Sequence, residues 1–165
     1  MRDRVVGLYG NITPDFVDQL ANTLKGKKVL EVFGGNGYLA NELHKRGIDI
    51  HCTSILSGMD GHEENLFFDV ENITASDAVL RYGSDYDVLL MCWATVTNDA
   101  DLALIFWGVN KDIVYIGERN QPELGKMGLA GCATDRVHEL LKPVLNLDDY
   151  TPKNMLDTAF VGRIG

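Results

Sequence analysis

The chain has 165 residues, of which 45% are hydrophobic and 24% charged, a composition typical of a globular domain and not of a disordered or collagen-like chain. Its formal charge of −9 and isoelectric point near 4.8 oppose binding to nucleic acid and to anionic membranes. No apolar run is long enough to span a bilayer and the first residues lack a secretory signal, so we expect one cytoplasmic domain over 1–165.

Short apolar runs alternate with amphipathic stretches, which is typical of α/β proteins. In the first half of the chain Thr13 and Pro14 mark the start of a helix and Gly26 its end. The elements predicted there are a helix over 14–25, a strand over 28–33, a helix over 38–46, a strand over 48–55, a loop over 57–65 and a short strand over 66–70.

The second half continues the alternation, and the uninterrupted apolar run 88–91 indicates a strand buried on both faces. The elements predicted there are a helix over 75–82, strands over 86–93 and 112–117 with a helix over 99–107 between them, a helix over 134–141 that Pro143 ends, and strands over 144–150 and 158–164. The last two strands form a predicted hairpin with its turn near 151–154. We therefore predict a doubly wound, mostly parallel sheet of six or seven strands.

Cysteines and histidines give no sign of a metal site. Cys52, Cys92 and Cys132 are odd in number, widely spaced and without a CxxC pair, so we expect reduced thiols. The four histidines share no HxxxH or HExxH spacing. No metal is predicted.

A glycine loop follows the first predicted strand and precedes a helix. Gly35-x-Gly37-x-x-Ala40 fits the loose dinucleotide pattern, although tight packing of a strand against a helix can demand glycines by itself. Glu31 lies just before the loop, where a dinucleotide fold carries an apolar residue. A carboxylate at that position can accept a hydrogen bond from a ligand ammonium.

The segment Val29-Leu30-Glu31-Val32-Phe33-Gly34-Gly35-Asn36-Gly37 resembles motif I of the class I S-adenosylmethionine-dependent methyltransferases, whose pattern is acid-x-Gly-x-Gly-x-Gly. This chain keeps the acid and the last two glycines but has Phe33 at the first glycine position. The resemblance extends over 26–141 to a methyltransferase-like group of undetermined activity. The further segments that carry it are Leu89-Leu90-Met91-Cys92-Trp93, Val114-Tyr115-Ile116-Gly117-Glu118 and Gly131-Cys132-Ala133-Thr134.

The resemblance implies S-adenosylmethionine as the cofactor, in a Rossmann-like methyltransferase fold of minimal size. By that resemblance Glu31 orients the methionine end, and Gly35 and Gly37 let the loop pass beneath it. Asp69 is placed to accept from the adenine amine, or is a solvated acid with no such role. The cofactor-binding residues that we predict are Glu31, Phe33, Gly34, Gly35, Asn36, Gly37, Ser54, Asp69, Val70, Cys92 and Trp93.

Two departures from the family concern the ribose and the acceptor. Ser54 stands where methyltransferases have the acid that binds both ribose hydroxyls, unless Asp60 replaces it. The same gap argues against NAD. In addition, Trp93-Ala94-Thr95 replaces the Pro-Pro segments of related proteins, so Trp93 either stacks on a planar ligand or belongs to the core.

No catalytic residue is identified by the sequence. The predicted substrate contacts are Thr95, Glu118 and Arg119, with a surface ion pair as the alternative for the last two. The sequence favours methyl transfer to an unknown acceptor, with an inactive cofactor-binding or interaction module and an NAD(P)-dependent oxidoreductase as alternatives. A small-molecule cofactor is the predicted partner, and a protein partner or a homo-oligomer is left open.

Overall fold

The computed structural model describes residues 11–55, 66–120 and 132–165. The helices are α1 (Pro14–Leu24), α2 (Tyr38–Lys45), α3 (Ala75–Tyr82), α4 (Asn98–Trp107) and α5 (Asp135–Leu140). The strands are β1 (Lys28–Val32), β2 (Asp49–Ser54), β3 (Val70–Asn72), β4 (Val88–Cys92), β5 (Asp112–Glu118), β6 (Leu141–Asn146) and β7 (Asp157–Ile164). The predicted loop over 57–65, with Asp60, and most of the connection 119–131 lie outside the described residues.

The strands form one seven-stranded sheet in the order β3-β2-β1-β4-β5-β7-β6. The pairs among β1 to β5 are parallel, whereas β7 runs antiparallel to both β5 and β6. From β1 the chain builds outward through β2 and β3, and from β4 it builds in the opposite direction. The connections therefore diverge at the carboxyl ends of β1 and β4, where open α/β sheets bind ligands. This sheet confirms the predicted doubly wound, mostly parallel architecture.

Helices cover both faces of the sheet because each has one apolar side. Phe16, Leu20 and Leu24 of α1 recur at helical spacing and are buried with Leu39 and Leu43 of α2. Local signals set the start of α1, since the Thr13 hydroxyl accepts the N–H of Phe16 at 3.2 Å. On the other face, α3, α4 and α5 pack over a second cluster of buried residues.

The third strand is a correction to the sequence prediction. A strand was expected over 66–70, but pairing with β2 begins only at Val70, opposite Cys52. The residues before it turn across the glycine loop, where the N–H of Phe67 donates to the carbonyl of Asn36 at 2.8 Å. A tertiary contact with a segment about thirty residues earlier therefore replaces the predicted strand pairing.

The end of α5 is a second correction. We expected Pro143 to end the helix and a strand over 144–150, but α5 ends at Leu140 and Pro143 lies inside β6. Since β6 is an edge strand, proline is tolerated there, and the register shifts between Pro143 and Leu145. The closing hairpin is confirmed, with residues 151–154 between its strands. The other described helices and strands match their predicted ranges within one or two residues.

No helix of the described residues is both long and apolar enough to cross a membrane. In the same part of the chain no three His, Cys, Asp or Glu side chains are grouped as metal ligands. All three cysteines are free thiols, as predicted.

Candidate functional site

The glycine loop between β1 and α2 is held by backbone hydrogen bonds to β2. The N–H of Gly34 donates to the carbonyl of Thr53 at 2.9 Å, and the N–H of Gly35 donates to the hydroxyl of Ser54 at 3.1 Å. Gly37 has a φ of +79° and is the residue before the first turn of α2. The loop thus lies against the end of β2 and leads into the N-terminus of a helix, an arrangement that suits a ligand with negative or hydrogen-bond-accepting groups.

Two glycines of the loop are required by close contacts. A Cβ at Gly34 would lie 2.4 Å from the Sγ of Cys52 and 3.2 Å from the Oε1 of Glu31. A Cβ at Gly37 would lie 2.8 Å from the Cβ of Phe68. Real Cβ atoms do not approach other atoms so closely, so the loop, the Glu31 carboxyl group and the segment before β3 pack together only because these side chains are missing.

Phe33 has a left-handed backbone, with a φ of +58°. This is the position where the methyltransferase pattern has its first glycine, so the backbone conformation is one that glycine favours although the residue differs. The ring of Phe33 packs against the buried cluster beneath α3 and α4. A bulky residue with a left-handed backbone is rare and is typical of strained functional sites. Trp93, just after β4, has the same backbone conformation, with a φ of +53°.

Glu31 is the buried acid of the site. It lies on β1 between Cys52 of β2 and Leu90 of β4, and it is 1% exposed. Burial raises the pKa of its carboxyl group from 4.5 to about 8, against which a hydrogen bond from the Cys52 thiol acts. Among the described residues its Oε1 has no hydrogen-bond partner. Buried polar atoms are rarely left without a hydrogen-bond partner, so this arrangement favours a ligand that carries a hydrogen-bond donor.

Ser54 lies at the end of β2, as the predicted register requires. It is 7% exposed, and its oxygen accepts from the glycine loop, so the hydroxyl proton is available to donate to another group.

The other predicted cofactor contacts lie around β3 and in the loop itself. Val70 is the first residue of β3 and is buried, and a Cβ at Gly37 would lie 3.0 Å from its Cγ2. Asp69 beside it is exposed. Asn36 is 2% exposed, and its side-chain oxygen accepts the N–H of Tyr38.

Cys92 ends β4, the strand beside β1, and Trp93 follows it. Burial and the charge of Glu31 raise the pKa of the Cys92 thiol well above its usual range. The indole of Trp93 is half-buried, and the Nζ of Lys153 lies 5.3 Å from its ring centroid. The Nε1 of Trp93 is buried without a hydrogen-bond partner among the described residues. Thr95 is exposed, with its hydroxyl 3.2 Å from that of Thr97.

Glu118 ends β5 and Arg119 follows it, and the two side chains have different surroundings. The Oε2 of Glu118 accepts from the Nδ2 of Asn154 at 2.7 Å, at the carboxyl edge of the sheet. Arg119 is instead 6% exposed, and its Nη2 donates to the carbonyls of His138 and Leu141 at 3.4 and 3.3 Å. The guanidinium group of Arg119 therefore supports the junction between α5 and β6, whereas Glu118 belongs to the edge that carries the glycine loop.

Sequence reasoning missed two contributors to the site. Cys52 was expected only to be a reduced thiol, yet its thiol group contacts Glu31 and fills the space next to Gly34. Lys153 belongs to the turn between β6 and β7, which is fixed because the N–H of Lys153 donates to Asp157 at 2.7 Å. No sequence signal could have placed Lys153 over Trp93, because the two residues are distant in the chain. The position of Cys52 opposite Glu31 is set by the register between β1 and β2.

Comparison with solved structures places the fold. The chain superposes on a mutant of MtNAS in complex with S-adenosylmethionine, with a TM-score of 0.60, 12% identity and coverage of 92% of this chain and 62% of that one. A ribosomal protein L11 methylase from Lactobacillus delbrueckii subsp. bulgaricus gives a TM-score of 0.54 at 15% identity, with coverage of 91% and 77%. Human N-acetylserotonin methyltransferase in complex with S-adenosylmethionine gives 0.54 at 14% identity, with coverage of 93% and 52%.

This chain therefore spans less than two thirds of the length of the first and third of these structures. No protein-family model matches the sequence, and no curated protein matches it. This chain therefore agrees with these proteins in its three-dimensional fold and not in its sequence. The resemblance of its glycine loop to motif I predicted that fold. The chain has the Rossmann-like fold of the class I S-adenosylmethionine-dependent methyltransferases.

Proposed function

We propose that this protein binds S-adenosylmethionine at the carboxyl ends of β1 and β4 and transfers its methyl group to an acceptor. The observation that carries the proposal is Glu31, a fully buried acid near the carboxyl end of the central strand β1, whose Oε1 lacks a donor among the described residues. An ammonium group supplies such a donor and stabilises the ionised carboxylate. S-adenosylmethionine carries one on its methionine part.

The residues around Glu31 fit the rest of this cofactor. The glycine loop would lie beneath the methionine part, Ser54 would donate to a ribose oxygen, and Asp69 and Val70 would meet the adenine. Cys92 and Trp93 would complete the wall on the side of β4. When bound, S-adenosylmethionine supplies an electrophilic methyl group on its sulfonium. The chain's own contribution is to hold the reacting groups in line, which is the main requirement of methyl transfer.

The acceptor side is formed by Trp93, Lys153 and Glu118. Lys153 covers the indole of Trp93, and Glu118 holds the turn that carries Lys153 through its bond with Asn154. We propose that an acceptor enters beside these residues, and Thr95 and Arg119 remain predicted substrate contacts. The strongly acidic surface disfavours a nucleic-acid acceptor.

The experiment is a calorimetric titration of the purified chain with S-adenosylmethionine, its demethylated product S-adenosylhomocysteine, and NAD. We expect saturable binding of the first two and a loss of about 1.5–3 kcal/mol of binding free energy in Glu31→Gln, which keeps the shape of the side chain but not its charge. Glu42→Gln is the matched control, because Glu42 lies on the surface of α2 and pairs with Lys45 and Arg46. Binding of NAD alone, or equal affinities in Glu31→Gln and wild type, would refute the proposal.

A binding module without methyl transfer is the second candidate function. It is favoured by the segment after β4, where Thr95 bonds to Thr97 and the side-chain acceptors that hold a target amine in related enzymes are missing. The two candidates differ in turnover. With radiolabelled cofactor and a metabolite extract as the source of acceptors, an enzyme transfers label in wild type but not in Glu31→Gln, whereas a module binds the cofactor and transfers none.

A further inference from the structure

Helix α4 is apolar on both of its sides. Its inner side contributes Ala100, Ala103, Leu104 and Trp107 to the buried cluster over the sheet. Its outer side carries Leu102, Ile105 and Phe106, which are 39%, 51% and 42% exposed. Val109, two positions after the helix, is 61% exposed. Leu102, Ile105 and Phe106 stand at positions i, i+3 and i+4 and therefore lie on one side of the helix, with Val109 just beyond the helix end. We call these four residues the α4 stripe.

The α4 stripe lies at the centre of one side of the molecule. Asp99 of α4 accepts the N–H groups of the first two residues of α3, and Gly83 after α3 lies close to the Trp107 ring, so α3 runs beside α4 in the same direction. On the other flank, the hydroxyl of Thr134 before α5 donates to Asp101. The stripe thus lies in the middle of a layer of three helices, with the surfaces of α3 and α5 on either side. The apolar centre of a protein interface is surrounded by protein surface in the same way.

The charge distribution singles out this stripe. The chain carries a formal charge of −9, so two copies repel each other over most of their surfaces. The segment 102–110 contains no Asp, Glu, Lys, Arg or His. It is therefore a place where a second acidic copy approaches at low electrostatic cost. A basic partner would gain its attraction from carboxylates, and the stripe offers none.

We propose that a second copy of this chain covers the α4 stripe, with the two α4 helices packed across a two-fold axis. In such a dimer each stripe meets the same stripe, and an uncharged apolar surface is complementary to itself. A stable interface needs about 800 Å² from each partner. The stripe supplies its apolar centre, and the exposed charges of both signs on the flanking helices supply its rim, namely Asp77, Arg81, Asp135 and Arg136.

A membrane surface fits the stripe less well. Helices that lie on anionic membranes carry Lys or Arg beside the apolar residues. The first turn of α4 carries Asp99 and Asp101 instead. The lysine that follows the helix, Lys111, has its Nζ 3.8 Å from the Trp107 ring centroid and donates to the carbonyl of Gly83, so it is engaged within the protein.

Sedimentation velocity over a range of micromolar concentrations tests the proposal without any ligand, so its outcome is independent of the proposed methyl transfer. We expect wild type to form a dimer and Ile105→Glu to weaken dimerisation by about 30-fold or more, as for a residue central to an interface. Val144→Glu is the matched control, because Val144 is 63% exposed on the edge strand β6. A monomeric wild type, or a dimer that Val144→Glu breaks and Ile105→Glu does not, would overturn the proposal.

A second measurement on unmodified protein guards against misfolding of the variant. Hydrogen exchange of the amides in 100–109 should slow as protein concentration rises, while that of β6 stays constant. Exchange independent of concentration, or flotation of the wild-type monomer with phosphatidylglycerol vesicles that Ile105→Glu abolishes, would show that no second copy covers the stripe.

Discussion

Glu31 makes the stability of the fold depend on pH. Its pKa is raised from 4.5 to about 8 in the folded chain, so the protonated form favours folding. Below pH 4.5 the protonated carboxyl group adds its full contribution to the free energy of unfolding. Between pH 4.5 and about 8 this contribution falls by about 1.4 kcal/mol per pH unit, and above about pH 8 it is lost. We expect Glu31→Gln to remove this dependence and to be more stable than wild type at about pH 9.

Urea denaturation of both proteins at about pH 5 and about pH 9 measures the effect, which order-of-magnitude linkage puts at several kcal/mol. Glu42→Gln serves as the control, since the partly exposed Glu42 pairs with Lys45 and Arg46 at the surface of α2, where ion pairs contribute little. Stability curves of wild type and Glu31→Gln that remain parallel over this range would contradict the described environment of Glu31.

The contact between Gly34 and Cys52 predicts a coupled pair. Gly34→Ala would place a Cβ 2.4 Å from the Cys52 Sγ, and we expect it to cost about 1–3 kcal/mol of the free energy of unfolding. Cys52→Ala removes that sulfur, so the double variant should lose less than the sum of the two single losses, by about 1 kcal/mol or more. Chemical denaturation of the four proteins measures the coupling. Strict additivity would mean that the glycine is not required by this contact.

Ser54 is the residue where a carboxylate should improve cofactor binding. Ser54→Asp keeps an acceptor for the Gly35 N–H and adds a charge for the ribose, so we expect S-adenosylmethionine affinity to rise by about 1–2 kcal/mol. Ser54→Asn is the matched control, because asparagine has the shape of aspartate but carries no charge. Calorimetry and melting temperature are measured together. Unchanged affinity with a lower melting temperature would show that position 54 does not meet the cofactor.

At the scale of secondary-structure elements, Arg119 joins α5 to β6. Its guanidinium group donates to the carbonyls of His138 and Leu141 near the end of α5, where backbone acceptors lack helical donors. We expect Arg119→Met to lower the free energy of unfolding by about 1–3 kcal/mol and to leave S-adenosylmethionine affinity unchanged. Arg136→Met, on the exposed side of α5, is the control. A loss of ligand binding or methyl transfer at unchanged stability would instead support the predicted substrate contact.

The elements that were predictable from the sequence are those with local signals. The segment 28–45 contains all the signals for β1, the glycine loop and α2, namely an apolar run, Gly35 and Gly37, and helical spacing. The strand expected over 66–70 was wrong because Phe67 bonds to Asn36, a contact that local propensity does not encode. Pro143 was misassigned for a similar reason, since its edge position depends on pairing with β7.

At the scale of the whole molecule, the place of the candidate site in the fold was predictable and its proposed acceptor side was not. The alternation of elements predicted the sheet, and the order of strands places the glycine loop at the point where the connections diverge. The proposed acceptor side combines Trp93 after β4 with Lys153 from the closing hairpin, and these residues come together only in the folded chain. The net charge of −9 acts on the whole molecule and favours the approach of a cationic ligand.

The central claim, that an ammonium group of S-adenosylmethionine ionises Glu31, is tested most directly by counting the protons released on binding. At pH 7 a carboxyl group with a pKa of about 8 is about nine-tenths protonated. Calorimetric titrations in buffers of different ionisation enthalpy should therefore show wild type releasing close to one proton more than Glu31→Gln, whose other groups are the same. Equal proton release by the two proteins, with binding intact, would contradict the account.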